Sequence, residues 1–159
     1  MPGESATRVI SEVDASWIPI RTALETLPDA ALEAAPPGTW SAKETLAHLA
    51  FWSEAVEGYM TLVVRQRPLP GGWHFGSGYS PAADAPWPHF EEHNAREAAW
   101  ARSQHPAVVR ERMAAAHDGL VRFLATVTDA EVEADPQYFA QLSAHYREHW
   151  AGLIAVPQE

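Results

Sequence analysis

The chain contains no cysteine among its 159 residues. Disulfides, thiolate metal ligands and a cysteine nucleophile are therefore excluded, and any sulfur chemistry must use a thiol that arrives as a ligand. Lysine is almost absent as well. Lys43 stands alone, and 11 basic against 21 acidic residues give a formal charge of −10. No basic stripe is present to neutralise phosphates, which argues against a nucleic-acid partner. The same shortage argues against an anionic membrane surface. No apolar run approaches the roughly 20 residues of a membrane span. The opening Met1-Pro2-Gly3-Glu4-Ser5 has neither a basic nor an apolar leader region, so a cytoplasmic protein is expected. Strand signals are missing too: no clear run alternates, and no Asn-Gly or Asp-Gly hairpin turn occurs.

What remains is rich in apolar side chains. They make up 47% of the chain, and seven tryptophans are too many to leave in water. At 17.5 kDa the size suits one domain spanning residues 1–159. Ile10, Val13, Trp17, Ile20, Leu24 and Leu27 recur three and four residues apart, which predicts a helix with one buried stripe, kinked at Pro19. Pro36-Pro37-Gly38 ends it. Ser41 and Glu44 form a capping-box pattern, so a second helix starts there and runs to about Arg65, with Leu46, Leu49, Trp52, Val56, Tyr59 and Val63 inward. A long stretch from Pro68 to Pro88 follows, with five prolines, four glycines and several aromatic residues. A loop of this length is read as a lid over the site, with a packed cover for a helix end as the alternative. Further helices are expected over about Pro88–Arg102 and Ala107–Val127, with a short turn at Thr128-Glu131. The last opens at Asp135-Pro136, an N-cap followed by proline, and carries Phe139, Leu142, Leu153 and Ile154. The fold class is all-α, with four main helices.

The last helix places His145 and His149 at i and i+4, where both rings can reach one ion. His48 lies on the inward face of the second helix. Three inward imidazoles are costly to desolvate unless something satisfies them. A divalent metal does so and keeps positions free for substrate. Hydrogen bonding to backbone or acids is the competing reading. His145-Tyr146-Arg147-Glu148-His149 also matches the His-x-x-Glu-His zinc-protease pattern, but only ten residues follow it and Glu159 is their sole acid. Glu148 itself falls off the His145–His149 stripe and reads as a rim or solvated residue. Trp52, His93, Asn94 and His117 are candidates for a pocket around the ion, with packing or a surface position as the alternatives.

The run Trp40-Ser41-Ala42-Lys43-Glu44-Thr45-Leu46-Ala47-His48-Leu49-Ala50-Phe51-Trp52 resembles the second-helix signature of the DinB-like (YfiT-type) superfamily. His145-Tyr146-Arg147-Glu148-His149 resembles its last-helix signature, closest to the small-molecule self-resistance (DfsB/ClbS-like) branch. The resemblance covers nearly the whole chain. It implies an up-down-down-up four-helix bundle in which His48, His145 and His149 bind a divalent metal, zinc or nickel. It also implies a small-molecule substrate and a homodimer.

Three functions are compatible with this reading. The first is a metal-dependent thiol S-transferase or isomerase of detoxification type, using mycothiol, bacillithiol or glutathione. The second is a hydrolase or resistance protein that uses water, suggested by the Tyr and Glu of the last motif. The third is a non-enzymatic protein that sequesters a small molecule or metal.

Overall fold

A computed structural model describes residues 1–80 and 90–154, apart from the side chains of residues 152 and 154. The described residues are all-helical. Four long helices, α1 (Glu4–Thr26), α3 (Ala42–Tyr59), α5 (Pro106–Leu124) and α7 (Pro136–Ile154), form the bundle. Two short helices, α2 (Asp29–Glu33) and α6 (Asp129–Ala134), sit in its connections, and α4 (Phe90–Ser103) lies outside, along α3.

Helix directions follow from which ends meet. Arg110, in the first turns of α5, donates to the carbonyls of Leu24 and Leu27 at the end of α1, while Ala6 N donates to Asp129 at the opposite end. Helices α1 and α5 are therefore antiparallel. Lys43 at the start of α3 donates to the Gln104 carbonyl just before α5, and Arg65 beyond the end of α3 donates to the Thr126 carbonyl just after α5. Those two run parallel. Ser53 meets Tyr146 and Tyr59 meets Tyr138, so α3 and α7 are antiparallel. The order is up, down, down, up. A parallel pair needs a long crossover. Residues 65–105 supply it, with α4 running back along α3.

Local sequence explains the ends. The Ser41 hydroxyl accepts from Glu44 N at 3.1 Å and the Glu44 carboxylate accepts from Ser41 N at 2.8 Å, a complete capping box. Thr128 and Glu131 repeat it at α6. Helix α1 runs unbroken through Pro19. The core is closed by Val13, Ile20, Leu46, Leu49, Val109, Met113 and Leu153, each almost or fully buried.

Two expectations are corrected. Val63 is not inward; it is 42% exposed. Residues Met60–Val64 are π-wound, with Arg65 N bonding Met60 O at 2.8 Å, and the wider winding turns each residue through a smaller angle. The stripe drifts, and Met60 takes the buried position. Residues 68–80 are a packed cover rather than a lid. Phe75, fully buried, packs on Phe51 and Ala55 with Trp73 and Tyr79 around it. Gly76 allows this loop to approach the bundle, since a Cβ there would lie 2.5 Å from Arg112 Nε and 2.7 Å from Glu54 Oε1. The predicted helix start at Pro88, along with Trp87, His89 and the inward Ile154 side chain, lies outside the described residues.

Candidate metal centre

Helix α3 presents His48 and helix α7 presents His145 and His149, one turn apart. The capping box fixes where α3 begins, and the antiparallel packing of α7 brings its last turns beside that start. One nitrogen from each ring lies within 4.8 Å of the others. His48 Nε2 and His145 Nε2 are 3.0 Å apart. An ion held by imidazoles at about 2.0–2.1 Å places its ligand atoms roughly 3.3 Å from one another, so small rotations suffice. The donor set and its spacing fit a divalent metal. His48 is buried, while His145 and His149 are half-buried, which leaves an approach.

Asn94 of α4 supplies the support behind the ligands. Its Oδ1 accepts from Trp52 Nε1 at 3.1 Å and meets His48 Nδ1 at 3.0 Å. An indole N–H can only donate, so the oxygen of Asn94 must face it. That oxygen then takes the proton of His48 Nδ1, which leaves the lone pair on Nε2, aimed at His145. The tautomer is the one a metal requires. Replacing Asn94 by Leu is expected to weaken zinc binding by roughly 10–100-fold without unfolding the chain. Competition against a chromophoric chelator, with circular dichroism as control, reads it.

Burial is the main cause that holds His48 far below the usual imidazole range, to about 4, with the His149 charge adding to it. Burial, then His48 and His149, lowers His145 to about 3, and burial lowers His149. All three rings are neutral at neutral pH, as ligation needs. The consequence for folding has a definite sign. Imidazoles of the unfolded chain titrate near 6.5, so acid protonates the unfolded state first. Each ring that stays neutral in the fold then costs about 1.4 kcal/mol per pH unit, from about pH 6.5 down to its folded value. Urea midpoints of metal-free protein are expected to fall from pH 7 to pH 4. The fall should shrink in the His48→Gln, His145→Gln double variant.

A cavity of about 590 Å³ opens beside His145, between α3 and α7. Trp52, Val56, Tyr59 and Leu142 line it with Tyr146, and Glu148 contributes an exposed carboxylate to its lining. Three of the four sequence candidates stay near this region in different ways. Trp52 forms a wall, and Asn94 holds His48. His117 is not in the imidazole cluster: it stacks on Trp17 at 4.3 Å, with Nε2 3.2 Å from Asp14 and Nδ1 3.4 Å from the Tyr146 hydroxyl. The fourth, His93, turns away from the imidazole cluster. It stacks on Phe51 and meets the Tyr79 hydroxyl at 3.1 Å, inside the loop cluster. Reading α4 alone could not decide which of His93 and Asn94 faced the imidazole cluster. Ser53 and Tyr146, whose hydroxyls are 2.8 Å apart at the cavity, were missed. Their signal was position: Ser53 follows Trp52 on α3, and Tyr146 sits inside the histidine motif.

The DinB superfamily profile matches residues 12–156. The chain belongs to the DinB superfamily. No curated protein and no solved structure matches this DinB chain. Among its described residues, no helix is long and apolar enough to cross a membrane.

Proposed function

We propose that this DinB protein is a metal-dependent enzyme that joins a low-molecular-weight thiol to a small electrophile. The observation that carries the reading is the convergence of three neutral imidazoles, within 4.8 Å, at the edge of an apolar cavity. His48, His145 and His149 would hold zinc or nickel. A divalent ion held there would supply Lewis-acid chemistry, lowering the pKa of a thiol or water that meets it.

The chain's own residues do the rest. Asn94 keeps Nε2 of His48 deprotonated and aimed. The apolar walls exclude water, which protects a sulfur nucleophile from competition. The chain has no cysteine, so the sulfur must be brought by mycothiol, bacillithiol or glutathione, and no side chain competes with it.

A second reading is favoured by one observation, the exposed Glu148 carboxylate in the cavity lining, which can act as a general base on water. The product would then be a hydrolysed or inactivated small molecule. Monochlorobimane turnover separates the readings, measured with each thiol, with and without zinc, and in His145→Ala. Turnover that needs both thiol and metal supports the transferase. Metal-dependent loss of substrate without thiol supports the hydrolase. Binding without any turnover, across a range of electrophiles, would sink both.

A further inference from the structure

The chain has 11 basic residues, yet none lines the cavity beside His145 among the described residues. Residues 81–89 and 155–159 contain no lysine or arginine that could reach in. Five of the eleven are held in ion pairs elsewhere: Lys43 with Glu33, Arg65 with Glu131, Arg102 with Glu44, Arg110 with Asp29 and Arg112 with Glu54. Among the described residues, the one charged side chain lining the cavity is the Glu148 carboxylate.

Its polar floor is also committed. The Tyr146 hydroxyl meets Ser53 at 2.8 Å and His117 Nδ1 at 3.4 Å, and Ser53 donates to the Leu49 carbonyl at 2.8 Å. What faces a guest at the far end from His145 is Val56, Tyr59, Tyr138 and Leu142, with the amide of the exposed Gln141 as the one uncharged polar side chain besides the tyrosines. An anion buried there would lose its hydration with no cation among the described lining residues to replace it, and Glu148 would repel it.

We infer that this cavity selects uncharged, largely aromatic small molecules and rejects the same skeleton when it carries a carboxylate, sulfonate or phosphate away from the His145 end. At about 590 Å³ it accommodates a ligand of two or three fused or linked rings. The inference takes this cavity as the substrate chamber of the proposed function, and it narrows the substrate class. The polar or electrophilic end of the molecule points to His145, and the apolar body fills the space between α3 and α7.

A matched pair of fluorescent probes tests it. N-phenyl-1-naphthylamine is neutral, and 8-anilino-1-naphthalenesulfonate is the same skeleton with a sulfonate. Both are titrated into the full-length, metal-stripped chain, so that no ion can attract the sulfonate. The neutral probe is expected to bind one-to-one, and the sulfonate about ten-fold more weakly or worse. Ala144→Trp, at an exposed position in the lining, should weaken the neutral probe by about ten-fold. Glu148→Arg should narrow the gap by tightening the sulfonate. Equal or tighter sulfonate binding in the wild type, or neutral-probe binding that Ala144→Trp leaves unchanged, overturns the inference. No thiol and no turnover enter this experiment. Failure of the bimane assay therefore leaves the inference standing, and failure here leaves room for a transferase with polar substrates.

Discussion

His145→Ala is expected to abolish stoichiometric zinc or nickel binding while leaving the bundle folded. His145 is one corner of a close triangle of imidazoles. Its Nε2 is 3.0 Å from that of His48, and its ring centroid lies 4.9 Å from that of His48 and 4.7 Å from that of His149. Removing it leaves only two imidazoles, His48 and His149, one from each helix, which is too few ligands for a tight divalent site. The loss should exceed the roughly 10–100-fold expected for Asn94→Leu, because a direct ligand disappears rather than its orientation. The ring is only half-buried and contributes little to the core, so circular dichroism should match the wild type. Linkage provides a second readout. An ion at about 1,000 times its Kd stabilises the wild type by about 4 kcal/mol, and that stabilisation should vanish in the variant. A His145→Ala chain that still gains stability from zinc would show that the ion sits elsewhere.

Arg112→Met is expected to destabilise the fold by about 3–5 kcal/mol, the largest effect of any single change outside the apolar core. The Arg112 guanidinium, with 6% side-chain exposure, donates to Glu54 at 3.0 and 2.9 Å and to Glu97, which is 0% exposed. It also lies 4.6 Å over the Trp100 ring. Ser77 donates to Glu97 and Gly76 N to Glu54, so this one cation ties α3, α4, α5 and the loop together. Burial raises the Glu97 carboxyl, and the Arg112 charge opposes that rise. Without Arg112 the carboxyl should bind a proton in the fold that it lacks in the unfolded chain. The variant's stability deficit should then grow as pH rises and shrink in acid. Urea midpoints across pH 5 to pH 8 measure it. Adding Glu54→Gln and Glu97→Gln should recover part of the loss, since no buried carboxylate is then stranded. A deficit under about 1 kcal/mol would place this network among surface pairs of little consequence.

The ends of helices were written locally. Ser41 with Glu44, Thr128 with Glu131, and Asp135-Pro136 each satisfy backbone groups through near neighbours, so the sequence alone locates them. His48, His145 and His149 were legible for a related reason. Their spacing puts them on apolar stripes, and the DinB resemblance names the same positions. What could not be read depends on partners distant in sequence. The π-winding that exposes Val63 coincides with the bonds of Arg65 to Glu131 and Thr126, which lie more than 60 positions away. Choosing Asn94 over His93 needed the angle at which α4 lies on α3. The engagement of Arg112 needed three helices and a loop at once. Residues 68–80 read as aromatic and irregular, and only Phe51 and Ala55 on the outer side of α3 show why.

X-ray absorption on untagged, zinc-loaded protein tests the central claim most directly. The account predicts one zinc per chain, surrounded by light atoms at about 2.0–2.1 Å, with the outer scattering of three imidazoles. An oxygen-only environment would contradict it, as would failure to retain zinc with His48, His145 and His149 intact.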